Sequence, residues 1–189
     1  MPRISAATVS EHREQLHRRI FAAFTELLRE EGYDALTMAQ LAERAGLSRT
    51  AIYHHFPDKI AVVVAYAGAE TDSYVRSLEE RLADAEGPAE ALRTYVEHAL
   101  DDTIDFHMGL GALVGRLPPE SREQLRRHVL AVEEVLRRIL DDGVRAGVFT
   151  VPDPATTMTL IHACVLPRRL PVDEVAGFVL RAVSASPGS

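Results

Sequence analysis

The sequence predicts an all-α fold of about nine helices, and three observations carry that expectation. Apolar residues recur at spacings of three and four along most of the chain, while period-two alternation is scarce. The breaks between apolar stretches hold glycine or proline: Gly32, Gly46, Gly87-Pro88, Pro118-Pro119, Gly147 and Pro167 to Pro171. Such residues stop and start helices. The hydrophobic fraction of 47% is enough to bury a core, and the single cysteine, Cys164, leaves no disulfide within the chain.

The first helix is expected over residues 10–31, with Leu16, Ile20, Phe24, Leu27 and Leu28 as its buried stripe and Gly32 as its stop. Thr37-Met38-Ala39-Gln40 is a capping box that opens a second helix, with Met38, Leu41 and Ala42 facing inward. Ala45-Gly46-Leu47 forms a tight turn, and Ser48 caps a third helix that ends near Phe56. Pro57 is placed in the first turn of a fourth helix that continues to about residue 85. After Gly87-Pro88 a helix is expected over 89–107, followed by a loosely helical or irregular stretch marked by Gly109, Gly111 and Gly115. Pro118-Pro119 starts a long helix to about residue 146, and two last helices cover 155–166 and 172–183. The tail, 186–189, is expected to be disordered. No internal repeat is visible.

The net charge is −7, but it is unevenly spread. Residues 1–60 carry eight basic and eight acidic side chains, and the remaining 13 basic and 20 acidic residues hold the whole deficit. A neutral head on an acidic body is compatible with local DNA contact. A structural DNA-packaging protein would be basic overall. The chain shows no nucleophile motif, phosphate-binding glycine loop or strong metal-ligand spacing, so an enzyme is not expected. One cysteine suits a reducing, cytoplasmic setting. No apolar run approaches the ~18–20 residues that cross a bilayer, and residues 1–10 lack an apolar signal core. No membrane partner and no cofactor are expected.

The informative segment runs from Thr37 to Lys59. Two short helices joined by a glycine-containing turn make a helix-turn-helix. Ala42 and Gly46 are small where the helices cross, and Leu41, Leu47 and Ile52 supply the core that fixes the crossing. The second helix then presents Ser48, Arg49, Thr50, Tyr53 and His54 outward, a polar, aromatic and cationic face suited to a major groove.

The run Leu41-Ala42-Glu43-Arg44-Ala45-Gly46-Leu47-Ser48-Arg49-Thr50-Ala51-Ile52-Tyr53-His54-His55-Phe56-Pro57-Asp58-Lys59, with Gly32-Tyr33 and Thr37 before it, resembles the DNA-binding signature of the tetracycline-repressor (TetR) family. The resemblance covers about 50 residues, well beyond a generic helix-turn-helix. Beyond those residues the chain is similar to the family only in helix order and length. The resemblance implies a three-helix DNA-binding domain over 1–58 and an effector-binding and dimerisation domain over 59–185. It further implies a homodimeric regulator, a repressor released from double-stranded operator DNA by a small molecule, with an activator or a ligand-independent repressor left open. By the same likeness Thr37, Tyr53, His55 and Lys59 match phosphate-contacting positions, and Arg49, Thr50 and His54 lie where the family reads bases. Hydroxyl, imidazole and ammonium groups all donate to phosphate oxygens, and an arginine can grip guanine O6 and N7 together. Arg44 is a further candidate for the DNA backbone. Phe56 is expected in the core, while His55 is open to two readings, phosphate contact or packing.

In the second domain, Tyr66, Tyr95, Ala99, Phe106, Met108, Leu110, Leu113, Phe149 and His162 are candidate effector contacts. Their mostly apolar character suits an apolar or aromatic small molecule, though the same residues could simply fill a core. His98, Asp101, Asp102 and Asp105 would share one side of a helix, either a solvated acidic face or a place for a divalent cation in a metal-responsive regulator. His162 and Cys164, two apart, do not share a face. Val172, Val175, Ala176, Val179 and Val183, with Met158, Ile161, His162 and Val165, form two apolar stripes expected to meet a second copy as a four-helix bundle.

Overall fold

A computed structural model describes residues 6–101, 115, 117–166 and 170–185. Among these residues the chain forms eight helices: α1 (Ala6–Ala35), α2 (Met38–Arg44), α3 (Arg49–His55), α4 (Lys59–Leu82), α5 (Pro88–Ala99), α6 (Pro119–Arg145), α7 (Pro154–Val165) and α8 (Val172–Val183). Their one pairing of extended backbone is a single antiparallel bridge between Phe149 and Ser184. Phe106, Met108, Leu110, Leu113, Asp102 and Asp105 lie outside the described residues.

Three boundaries differ from the sequence expectation. Gly32 kinks α1 rather than ending it: its φ of 77° and ψ of 165° turn the chain, and helical residues resume to Ala35. α4 starts at Lys59, not at Pro57, because the Asp58 carboxylate accepts from Ala61 N at 2.8 Å and satisfies an amide the helix cannot. α5 ends at Ala99, with Leu100 as its C-cap, short of residue 107.

Two hydrophobic cores result. Ile20, Phe24 and Leu27 of α1 meet Leu41 and Ala42 of α2 and Ile52 of α3, and Phe56 joins them. The start of α4 belongs to this first core through Val62, Val63 and Ala67, as does Leu125 of α6. The second core gathers Tyr74 and Leu78 from α4, Leu92, Tyr95 and Val96 from α5, Leu136, Ile139 and Leu140 from α6, and Ile161 from α7. α4 thus runs from one core into the other. Phe149 enters the second core across Gly143, where any side chain would overlap its ring.

The same core overturns the expected dimer stripe. Val175, Ala176, Val179 and Val183 of α8 are buried within the chain, where α8 packs against α5. A helical stripe says only that a face is covered; here Leu92, Tyr95 and Val96 of the same chain share the core that covers it. Of that stripe Val172 stays exposed, and further exposed apolar side chains on the last two helices and their connection are Leu160, Leu166, Leu170 and Phe178, the last 57% exposed.

Candidate nucleic-acid interface

α2 and α3 owe their position to local chemistry. Thr37 N donates to Gln40 Oε1 at 2.9 Å while Gln40 N donates to Thr37 Oγ1 at 3.2 Å, so both open amides of the capping box are satisfied. Gln40 Nε2 also reaches Glu31 of α1 at 2.6 Å. The turn needs Gly46, whose φ is 65°, and Leu47 N bonds back to Ala42 O at 2.8 Å. Ser48 Oγ then accepts from Ala51 N at 3.1 Å and starts α3. Ile52 and Phe56 point into the first core, which turns Ser48, Arg49, Thr50, Tyr53 and His54 out to solvent. The Arg49 guanidinium lies 5.9 Å from the Tyr53 ring centroid, so the two make a joined cationic and aromatic surface.

Two cations of the motif are engaged within the chain instead. Arg44 binds Glu30 at 2.8 Å and Glu26 at 3.1 Å, tying α2 to α1; these carboxylates push its pKa up, and Arg44 holds Glu30 below its usual value. Lys59, expected at a phosphate, donates to the carbonyls of Tyr33, Asp34 and Leu36 at 3.0, 3.4 and 3.2 Å. Its ammonium also sits 4.5 Å from the Tyr33 ring centroid. An ammonium has three donors, and all three are used on carbonyls at the end of α1, where a cation also suits the helix dipole. In the free chain Lys59 is a strut.

His55 is half-buried and meets His17 of α1 edge-on at 5.7 Å between ring centroids. His17 stacks also toward Phe56 at 5.0 Å, and its Nε2 is buried without a partner. Both imidazoles are pushed down from 6.5, first by burial, then by neighbouring cationic groups: Arg13 and His55 for His17, and His54, Arg13 and His12 for His55. His55 therefore packs against α1 while staying partly exposed.

The effector candidates divide. Tyr95 and Phe149 are buried in the second core, and Tyr95 Oη shares a hydrogen bond with His162 Nε2 at 3.0 Å. Burial pushes the Tyr95 phenol up, with Tyr74 and Glu133 adding to it, and pushes His162 down against the pull of Glu133. Ala99 ends α5, half-buried. Tyr66 belongs to the other core: its ring packs 5.8 Å from Phe21 and 5.3 Å from Phe24 of α1. An open groove of about 420 Å³ lies where α6 ends and α7 begins, between Leu140, Val144, Val151 and Pro154, and it holds none of the candidates.

The acidic face read around His98 does not form as expected. α5 ends at Ala99, so the spacing argument stops there. His98 is 1% exposed and meets Tyr74 O at 3.2 Å and Arg81 Nη1 at 3.4 Å, and Arg81 lies 3.7 Å from Asp101. Among the described residues no group of three or more His, Cys, Asp or Glu is placed to hold a metal ion. No helix among them is long and apolar enough to cross a membrane.

Sequence reasoning missed His17, Arg19, Glu26, Glu30 and Glu133 as partners of the site. His17 carried a usable signal, since it lies three and four residues before the core positions Ile20 and Phe21. The others act across helices and left none.

Residues 20–66 match the family described as bacterial regulatory proteins, tetR family, and residues 76–166 match a tetracyclin repressor-like C-terminal domain. Over 178 residues the chain is 31% identical to the HTH-type transcriptional repressor Rv1474c of Mycobacterium tuberculosis, covering 82% of this chain and 91% of that one. It is 28% identical over 148 residues to the HTH-type transcriptional repressor AcnR of Corynebacterium diphtheriae, covering 76% and 67% of the two chains. The crystal structure of the TetR family transcriptional regulator PfmR from Thermus thermophilus superposes with a TM-score of 0.68 at 28% identity, over 86% of this chain and 97% of that one.

Proposed function

The chain belongs to the TetR family of helix-turn-helix transcriptional regulators, and on that premise we propose that it is a homodimeric repressor whose α3 reads operator DNA. The observation that carries this reading is the outward row on α3, a seven-residue helix whose other side is locked into the first core. Arg49, Thr50 and His54 face base edges, with Arg49 nearest the N-terminal end that enters the groove. Thr37, Ser48, Tyr53 and His55 contact phosphate. Arg44 and Lys59 hold the scaffold that these groups stand on. The repressors among its relatives favour repression over activation.

Self-association runs through the exposed apolar side chains of α7 and α8. Phe178 and Leu160 pair with a second copy to complete a four-helix bundle. An apolar or aromatic effector enters the second domain, and its polar point is the Tyr95–His162 pair. α4 carries the response, because it is packed into both cores and leads into the reading head. Effector binding shifts the population toward head spacings that fit the operator poorly.

Selection from a randomised duplex library tests this reading. The wild-type protein should enrich a two-fold symmetric sequence whose half-sites lie about one helical turn, ~34–36 Å, or a multiple of it apart. Enrichment of an asymmetric site, or of no sequence, would overturn it.

A further inference from the structure

We infer that Arg19 of α1 is a positioning residue for α3, setting the turn from which the base-facing side chains project. It rests on the reading of α3 as the element that enters the groove. Arg19 lies outside the recognition motif on the exposed side of α1, where a free arginine would pass for a solvated charge or a phosphate anchor. Its guanidinium instead crosses to the end of α2, where Nη2 meets Ala45 O at 2.5 Å and Gly46 O at 3.1 Å.

Those two carbonyls close α2, and a helix end leaves its last carbonyls without partners of its own. The amides of the turn are served from within: Ala45 N bonds to Leu41 O, Gly46 N to Glu43 O and Leu47 N to Ala42 O. The carbonyls are served by Arg19. A cation is also favoured at a helix C-terminus. The turn and the guanidinium fit each other sterically as well. Gly46 has a φ of 65°, and a Cβ at that position would come within 2.8 Å of the same Nη2. Leu47 follows, then the cap Ser48, then Arg49, so Arg19 acts three residues from the first side chain that faces a base.

Arg44 and Gln40 tie α2 to α1 through side-chain contacts with Glu26, Glu30 and Glu31, but these grip the body of α2. Arg19 grips the backbone of the turn itself. Its removal therefore changes where α3 points more than how much charge the head brings to DNA. The affinity for the correct sequence should fall while the affinity for DNA in general stays.

The test uses the full-length protein, the duplex enriched by the wild type from a randomised library, and a scrambled duplex of equal composition. Arg19→Met should bind the enriched duplex about tenfold or more weakly, the scale of a misread base pair. Binding to the scrambled duplex should stay within about twofold, with an unchanged salt slope, because no phosphate contact is lost. Arg19→Lys should recover part of the discrimination, since an ammonium keeps the charge and the donors on a side chain of different reach and shape. Equal losses on both duplexes, with the salt slope reduced by about one for each head, would make Arg19 a phosphate anchor and overturn the inference. So would a lowered thermal midpoint with the wild-type discrimination retained. If Arg19→Met does not fold by circular dichroism, a folded Arg19→Lys decides: wild-type discrimination overturns the inference, and partial loss supports it. A wild-type protein that itself fails to discriminate sinks the reading of α3 rather than the role of Arg19.

Discussion

The two cores of this chain keep their polar groups in different places. Around the first core the cations sit on the outside and hold backbone or other helices: Lys59 on the end of α1, and Arg44 on Glu26 and Glu30. In the second core polar groups sit inside: His98 against Tyr74 O and Arg81, and Tyr95 against His162. An exposed strut fixes shape at small energetic stake, because water can replace either partner. A buried pair is high-stakes, because losing one partner leaves the other unsatisfied. The head is thus held mainly by exposed struts, and the body by buried polar pairs.

The largest effect expected from this difference lies in α8. Val179→Asp places an unpaired carboxylate in the second core and should destabilise the chain by about 3–5 kcal/mol in urea unfolding. Phe178→Asp, one residue away and exposed, should leave the stability of each chain within about 0.5 kcal/mol and abolish self-association by sedimentation. A folded, merely monomeric Val179→Asp protein would place the interface back on the buried stripe.

Next comes Tyr95→Phe, which strips His162 of its partner and should cost about 1–3 kcal/mol in the same assay. A loss near zero would mean that the second core does not depend on this pair. Lys59→Met should cost less, about 1 kcal/mol, with an unchanged salt slope of DNA binding. A slope lowered by about one for each head would return Lys59 to the phosphate backbone and erase the contrast between strut and grip.

Acid should give the smallest effect, and it reaches both cores. His17, His55, His98 and His162 are all pushed below 6.5 in the folded chain, with burial the largest cause for each. Unfolded, they titrate near 6.5, so just below that pH the unfolded chain binds the extra protons. Stability is full above about 6.5 and falls as pH drops toward the folded values. Glu70, pushed up by burial, acts in the opposite sense at lower pH. Urea midpoints from about pH 8 to about pH 5 should decline through this window. A flat or rising profile there would mean these imidazoles are not held neutral.

The reading head was legible because its instructions are local. Thr37 with Gln40, Gly46 with its positive φ, and Ser48 each act within four residues, and together they place α2 and α3. What stayed hidden depends on partners far along the chain. Lys59 reads as a free cation until the end of α1 lies under it, 23 to 26 residues back. The α8 stripe reads as an interface until α5 of the same chain covers it. Asp58 and Pro57 both mark the start of α4, and the carboxylate, a local cap signal, outweighs the proline. The His98 spacing assumed a helix that ends at Ala99. The candidate effector contacts are the least legible, since an apolar residue in a pocket wall and one in a core follow the same periodicity.

The central claim is that α3 reads sequence while the other motif cations hold the scaffold, and Arg49→Ala tests it most directly. Titrated on the enriched and scrambled duplexes at several salt concentrations, the variant should lose about 1–3 kcal/mol on the enriched duplex and little on the scrambled one. The lost preference should fall on one base pair in each half-site, symmetric about the centre. Equal losses on both duplexes would contradict the account, reducing Arg49 to a phosphate contact and leaving the outward face of α3 without its main reader.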